Sequence, residues 1–335
     1  MFGVVICAKR MLHFLVVSLA LAPFLLTAWL IPANAQDRVR VYRLGHLALT
    51  AESERWTREF ALPELAQLGF VEGENLKLLM RSGKAGALPD LARELLATKP
   101  DAIIAISGTA ARAAREATNS IPIVMFADDP IGLGLVTSFA RPGSNVTGIA
   151  NMSVELHGKR LGLLLEAIPN VRRIAALLHR TSATRERAEH TLRASAAAVG
   201  IELLVYTTDS RSDYQVAFAA MRASGAEALL ISSAPEFYLD RELLAALALE
   251  VRLPTSCEWS TMARDGCLLG YGANQSGMRR RLAQYVALIF NGAKPGDLPI
   301  EQPTTFELAV NLKTARALGV TIPPSLLQRA DEVID

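Results

Sequence analysis

Residues 101–129 constrain the fold more than any other stretch, because two strand patterns and a helical pattern follow one another there without a break. The run Asp101–Ile106 is apolar and rich in β-branched residues, which is typical of a strand covered on both faces. A helical pattern follows over 110–117, and a second apolar run, Ile121–Phe126, comes after it. This succession predicts parallel strands joined by a right-handed helical crossover.

Polar residues follow both of these predicted strands. Ser107, Gly108 and Thr109 come directly after the first strand, and Thr109 is the predicted N-cap of the helix. Asp128 and Asp129 come after the second strand. Because the carboxyl ends of parallel strands meet at one edge of a sheet, beside the free N–H groups of a helix N-terminus, that edge is where ligands bind. The sequence therefore predicts a binding cleft at this edge.

The same alternation of strand and helix runs through the rest of the chain. Two further strands, within 38–49 and 76–81, precede the central stretch, and a second series of helices and strands begins at Leu156. A length of 335 residues, 51% of them hydrophobic, also exceeds one ordinary domain. The predicted fold class is α/β, with two doubly wound parallel-sheet lobes joined by a hinge, and a small ligand is expected in the cleft between them.

The predicted boundaries divide the chain into a signal peptide and two lobes. The signal peptide is 1–35, the N-terminal lobe is 36–150 plus roughly 274–300, and the C-terminal lobe is 151–273. Residues 301–335 are expected near the hinge, and the sequence leaves their lobe open.

The first residues have the pattern of a secretion signal. Lys9 and Arg10 precede the almost wholly apolar run Met11–Ile31, and Ala33–Ala35 has the small-x-small form of a signal-peptidase site. Cleavage after Ala35 would leave a periplasmic protein. The alternative is an uncleaved membrane anchor, since the apolar run is long enough to span a bilayer.

Charge argues against nucleic acid as a partner. Lys9 and Arg10 are the only charged residues of the signal segment, so the 35 basic residues of the chain fall to 33 after cleavage, equal to the 33 acidic residues. A chain without net charge or a basic tract gives no reason to expect nucleic-acid binding.

Motifs of enzymes and of metal sites do not occur in the sequence. GxSxG, HExxH and the P-loop pattern are absent, and the glycine-rich segment 132–137 lacks the acidic residue of a dinucleotide fingerprint. The expected protein is not an enzyme and uses no cofactor or metal, with a secreted hydrolase as the remote alternative. Cys257 and Cys267 either form a disulfide, as an exported protein permits, or remain two buried thiols.

Candidate ligand-binding residues lie at the strand ends of the predicted first lobe: Leu49, Thr50, Ser107, Gly108, Thr109, Ala110, Asp128 and Asp129. Residues 107–110 are interpreted as a cradle for a carboxylate, because a helix N-terminus stabilises a facing anion by about 0.3–1 kcal/mol. The alternative is a helix cap with nothing bound. Asp128 and Asp129 are candidates for pairing with a ligand amine, and a turn before Pro130 is the alternative for Asp129.

Candidates in the predicted second lobe also follow strands: Arg180, Thr181, Ser232, Ser233, Glu258 and Tyr271. Asp209, Ser210 and Trp259 occupy comparable positions, with core packing as the alternative for Trp259. Arg180 is either a cleft cation or a solvated loop charge. Tyr271 either stacks on a ligand or packs at the hinge.

Several segments together resemble the ABC-transporter substrate-binding proteins of the tryptophan or aromatic amino-acid-binding type, which have the type I periplasmic-binding-protein fold. The segments that carry the resemblance are Leu68–Leu76, Leu88–Ala92, Ile121–Val124, Asp129–Leu135, Ala140–Gly148, Gly158–Leu161, Leu298–Leu308, Asn311–Ala315 and Ile322–Leu327. The resemblance implies a monomer that captures a small polar ligand, an amino acid or other carboxylate, and hands it to a membrane permease. A ligand sensor for a membrane receptor is the alternative.

One segment departs from the family pattern. Where the family usually has an Asn-Pro pair after the first strand of the second lobe, this chain has Leu178–Thr181. A histidine or arginine in the cleft would favour an anionic group on the ligand.

Overall fold

The strands of this protein lie in two separate sheets. The computed structural model describes residues 40–335. Its strands are β1 (Tyr42–Ala48), β2 (Leu76–Ser82), β3 (Ala102–Ile106), β4 (Ile123–Ala127), β5 (Val146–Ala150), β6 (Arg173–His179), β7 (Glu202–Thr208), β8 (Ala228–Ile231), β9 (Thr255–Cys257), β10 (Leu269–Ala273), β11 (Ile300–Glu301), β12 (Phe306–Asn311) and β13 (Glu332–Ile334). The first sheet has the order β11-β5-β4-β3-β1-β2, and the second has the order β13-β12-β10-β9-β8-β6-β7.

Helices connect the strands in both sheets. They are α1 (Ala51–Trp56), α2 (Leu62–Gln67), α3 (Leu88–Ala97), α4 (Gly108–Ala117), α5 (His157–Ala167), α6 (Arg185–Ala198), α7 (Tyr214–Ala223), α8 (Pro235–Leu239), α9 (Arg241–Glu250), α10 (Ser260–Arg264), α11 (Gln275–Phe290), α12 (Leu312–Leu318) and α13 (Pro324–Leu327). Every pairing in the first sheet is parallel, while β12 runs antiparallel to β10 in the second. The predicted fold class, two doubly wound α/β lobes, is confirmed.

Successive side chains of the central strands point to opposite faces of the first sheet. Ile104 and Val124 join one hydrophobic cluster, whereas Ile103 and Ile123 join another. All residues of β3 and β4 are buried, as expected for parallel strands with helices on both faces. The strand ends are therefore the part of each sheet that a ligand can reach.

Strand pairing shows where the chain passes between the sheets. Strand β11 pairs with β5 in the first sheet, and β12 pairs with β10 in the second. The other passages follow β5 and β10. Within 301–335, β12 and β13 thus belong to the second sheet, while the lobe boundaries given above stay a prediction.

One local expectation about a helix is wrong. Ser107, not Thr109, is the N-cap of α4: its Oγ accepts a hydrogen bond from Ala110 N at 3.2 Å, and its φ of 104° is in the left-handed region. Between α1 and α2, Thr57–Ala61 form a π-helical turn. The physical reason is Pro63, which has no N–H to donate to the preceding turn.

The predicted signal peptide and its cleavage after Ala35 concern residues outside the described part of the chain. Within residues 40–335, no helix is both long and apolar enough to cross a membrane.

The structure joins Cys257 and Cys267 in a disulfide, and neither residue is exposed. Replacing both cysteines by serine is expected to lower the free energy of unfolding by about 2–3 kcal/mol, because the bond closes a short loop in the unfolded chain. Thermal unfolding with and without dithiothreitol measures the effect. The reductant should lower the Tm of the wild type and leave that of the double variant unchanged; equal Tm values for both proteins under oxidising conditions would contradict the prediction.

Candidate functional site

A cavity of about 110 Å³ lies where the carboxyl ends of the two sheets face each other. The residues after β1, β3 and β4 line it from the first sheet, and those after β6, β8 and β9 line it from the second. The volume is several times what one water molecule needs. The two sheets therefore enclose a space for a small ligand at the edge where the sequence predicts a cleft.

Nine of the predicted ligand-binding residues line this cavity: Leu49, Thr50, Ser107, Gly108, Thr109, Asp128, Thr181, Ser233 and Glu258. Each follows the end of a strand or begins the helix after it. At Gly108 an added Cβ would lie 2.5 Å from Leu133 Cδ1 and 3.6 Å from Ala183 Cβ, so a larger residue would require the Leu133 side chain to shift. The structure brings these residues together, and their contact with a ligand stays a prediction.

Five predicted residues do not line the cavity. Ala110 is wholly buried in the core, and Ser232 is buried with its backbone N–H donating to Leu177 O. Arg180 is exposed and its Nε donates to Asp209 Oδ2 at 2.7 Å, so it is a solvated loop charge. The ring of Tyr271 stacks on Phe306 with ring centroids 6.2 Å apart.

Asp129 is the fifth of these residues, and its carboxylate is part of an ion pair between the two lobes. Its Oδ1 accepts a hydrogen bond from Gly132 N and forms an ion pair of 2.7 Å with Arg187 Nη1. Arg187 lies on α6, between strands of the second sheet, and also pairs with Glu155. Because its carboxylate is already paired, a ligand amine would have to compete with Arg187 for Asp129. The two lobes are linked through this pair.

Two buried carboxylates, from opposite lobes, form the acidic end of the cavity. Asp128 Oδ1 accepts from Ser153 N at 2.5 Å, and burial together with the nearby Glu258 carboxylate raises the pKa of Asp128 to about 8. Glu258 Oε1 accepts from Ser233 Oγ at 2.7 Å. Burial raises the pKa of Glu258, while the charge of Arg160 and the hydrogen bond from Ser233 oppose that shift. A cation bound between these groups would relieve their repulsion.

Arg160 holds the backbone behind this acidic end. Its side chain is wholly buried on α5. Nε donates to Tyr271 O at 2.7 Å, Nη1 donates to Ser153 O at 2.8 Å, and Nη2 donates to Glu258 O at 3.2 Å. Arg160 thereby fixes the segments that carry both Glu258 and the amide partner of Asp128. It is a positioning residue, since it does not line the cavity.

Aromatic rings and one guanidinium also line the cavity. Trp56 contacts Tyr238 edge-on across the cleft at 5.8 Å, and Phe126 stacks on Trp259 at 6.5 Å. Arg279 reaches the cavity from α11, and its guanidinium lies 4.6 Å from the ring centroid of Phe126. The cavity is therefore lined by two buried acids, several aromatic rings and a buried cation.

Arg279 lines the cavity, and our interpretation of the sequence missed it. It lies on the buried stripe of α11 with Leu282, Ala283 and Val286, at helical spacing. A charged residue on an apolar helix stripe is a signal for a special role. The signal was missed because Arg279 is the first of three consecutive arginines, which together look like a surface run. The other two do lie at the surface: Arg280 is exposed, and Arg281 is paired with Glu301.

No group of three or more His, Cys, Asp or Glu side chains within residues 40–335 is arranged to hold a metal ion.

Comparison with known proteins identifies the family to which this chain belongs. The model of the family described as ABC transporter substrate binding protein matches residues 58–334. A tyrosine-binding protein of Clostridioides difficile (strain R20291) is 24% identical over 266 residues, which are 76% of this chain and 74% of that protein. The resemblance drawn from the sequence motifs is confirmed.

Solved structures share the fold. A conserved domain protein from Vibrio cholerae O1 biovar El Tor has a TM-score of 0.82 and 27% identity, over 88% of this chain and 100% of that chain. The ABC domain in complex with L-Trp from Streptococcus pneumonia has a TM-score of 0.81 and 23% identity, over the same shares of 88% and 100%.

Proposed function

We propose that this chain, which belongs to the ABC transporter substrate-binding protein family, captures an amino acid with an aromatic side chain in the cavity between its lobes. Proteins of this family bind a small-molecule substrate and work with the permease of an ABC transporter. The proposal adds the ligand class, export to the periplasm after cleavage at Ala35, action as a monomer, and delivery of the ligand without any chemical change.

The main observation behind this ligand class is that two buried acids, Asp128 and Glu258, come from different lobes and line the same cavity. Two buried carboxylates repel each other, and a ligand ammonium between them would turn that repulsion into attraction. Because the acids follow β4 and β9 in different sheets, a ligand bound to both would hold the lobes together. This is the requirement for a protein that closes on its solute.

The aromatic part of the proposal rests on the cavity wall and on the relatives. Trp56, Phe126, Tyr238 and Trp259 line the cavity and present ring faces and edges to a flat side chain. One relative is a tyrosine-binding protein, and one structural neighbour is in complex with L-Trp. Both observations favour an aromatic amino acid over an aliphatic one.

The purified protein is expected to gain thermal stability from L-tyrosine, L-tryptophan or L-phenylalanine. A ligand at a hundred times its Kd should stabilise the folded state by about 2.7 kcal/mol. Differential scanning fluorimetry over the standard amino acids, followed by titration calorimetry, measures this gain. Nucleosides and sugars are the comparison set: a rise in Tm with one of them and with no amino acid would refute the ligand class.

A further inference from the structure

The guanidinium of Arg279 is a buried cation without an acidic partner. Arg279 is only 6% exposed, yet across residues 40–335 neither its Nε nor its Nη1 finds a hydrogen-bond partner. Its positive charge also acts on the buried His46, whose pKa is lowered to about 3 mainly by burial and further by the charge of Arg279. A buried charge left unpaired in this way is costly and calls for a partner.

Aromatic rings hold this guanidinium in place. Its central carbon lies 4.6 Å from the ring centroid of Phe126 and 5.9 Å from that of Trp56. Such contacts use the flat face of the guanidinium and leave its N–H edges for a hydrogen-bond acceptor. The same arginine lines the cavity that also contains Asp128 and Glu258. The missing acceptor is therefore expected on the ligand.

We propose that Arg279 binds the carboxylate of the captured ligand and makes the protein select ligands with that group over otherwise identical neutral ones. The inference rests on the proposed function and adds the group that recognises the anionic end of the ligand. Planar, bidentate pairing with a carboxylate is what a guanidinium does best. Together with Asp128 and Glu258, which line the same cavity, Arg279 provides groups for both charges of a zwitterion.

The helix N-terminus at residues 107–110 is the competing carboxylate site. Its Ala110 N–H is already satisfied by Ser107 Oγ, and its remaining N–H groups carry only a partial positive charge. Arg279 carries a full charge with no partner to displace. A ligand carboxylate should therefore bind at Arg279 in preference to the helix end.

The test compares L-tyrosine with L-tyrosinamide, which keeps the ammonium and the ring but replaces the carboxylate by a neutral amide. Titration calorimetry is expected to show wild-type protein binding tyrosine at least about 100-fold more tightly than the amide. Arg279→Gln should bring the two affinities within about threefold, mainly by weakening tyrosine. Arg280→Gln is the matched control, because Arg280 is the next residue of the same helix and is exposed. Arg279→Lys, which keeps the charge, should restore part of the discrimination.

The outcomes separate this inference from the proposed function. If the wild type binds both compounds equally well, or Arg279→Gln keeps the wild-type ratio, Arg279 is not the carboxylate site. A third probe, 3-(4-hydroxyphenyl)propionate, has the carboxylate without the ammonium. Binding of this acid but of none of tyrosine, tryptophan and phenylalanine, with loss of binding in Arg279→Gln, would refute the amino-acid proposal and uphold the role of Arg279. Failure of all these carboxylates to bind would overturn the two proposals together.

Discussion

Replacing Arg160 by leucine is expected to lower the free energy of unfolding by about 3–5 kcal/mol, because it removes a buried cation on which several buried groups depend. The backbone carbonyls of Ser153, Glu258 and Tyr271 would each lose a donor. The carboxylates of Asp128 and Glu258 would also lose the buried positive charge that now favours their ionised forms. Leucine fills part of the space and satisfies none of these groups.

Urea unfolding followed by circular dichroism measures the loss. Lys159→Leu is the matched control, since Lys159 precedes Arg160 on α5 and is exposed, and its effect should stay within about 0.5 kcal/mol. Arg160→Lys keeps the charge but not the three-way hydrogen bonding, so its stability should fall between those of the wild type and the leucine variant. Equal midpoints for Arg160→Leu and Lys159→Leu would show that the buried arginine is not needed for stability.

The order of strands and helices could be predicted because it depends on local patterns. The runs that became β3 and β4 are apolar at every position, and the segment between them has a helical pattern long enough for the crossover that parallel strands need. With two such lobes joined by a hinge, the strand ends of both sheets were expected at one cleft. That is why residues as far apart in the sequence as Thr50 and Glu258 could be expected near a common ligand.

The charged groups of the cleft could not be predicted in the same way. Arg180 follows a strand and looked like a cleft cation, but Asp209 at the end of the neighbouring strand pairs with it at the surface. Arg279 lies in the second turn of a long helix, and only the packing of α11 beside the cleft brings it to the cavity. Position at a strand end is a local property, whereas the partner of a charge is decided by tertiary packing.

Asp128→Asn is expected to weaken the binding of an aromatic amino acid by at least about 100-fold, because the ligand ammonium loses one of two buried anionic partners. Asparagine has nearly the same shape, and its side-chain carbonyl can still accept from Ser153 N, as Asp128 Oδ1 does now. Asp209→Asn is the matched control, since Asp209 also follows a strand but lies outside the cavity and is exposed. Calorimetry should give that control the wild-type affinity.

The pH dependence of the same variant tests the cause. Burial and Glu258 raise the pKa of Asp128 from 3.8 to about 8, so the folded, ligand-free protein holds a proton there that the unfolded chain has already lost. Between these two pH values, the contribution of Asp128 to stability falls as the pH rises. Binding of an ammonium requires the ionised carboxylate, so affinity should change in the opposite direction and rise by up to about tenfold per pH unit until it levels off near pH 8.

Glu258 is the carboxylate near Asp128, and its pKa is also raised, so its ionisation should likewise increase the affinity as the pH rises. The charge of Arg160 opposes the rise in the pKa of both groups. Asp128→Asn should therefore flatten most of the pH dependence of affinity, because it removes one carboxylate and relieves the repulsion on the other. The ligand-free variant should also lose less stability than the wild type as the pH rises toward 8. A steep, unchanged pH profile in Asp128→Asn would mean that another group takes up the ligand's charge, and the acidic end of the cavity would lose its assigned role.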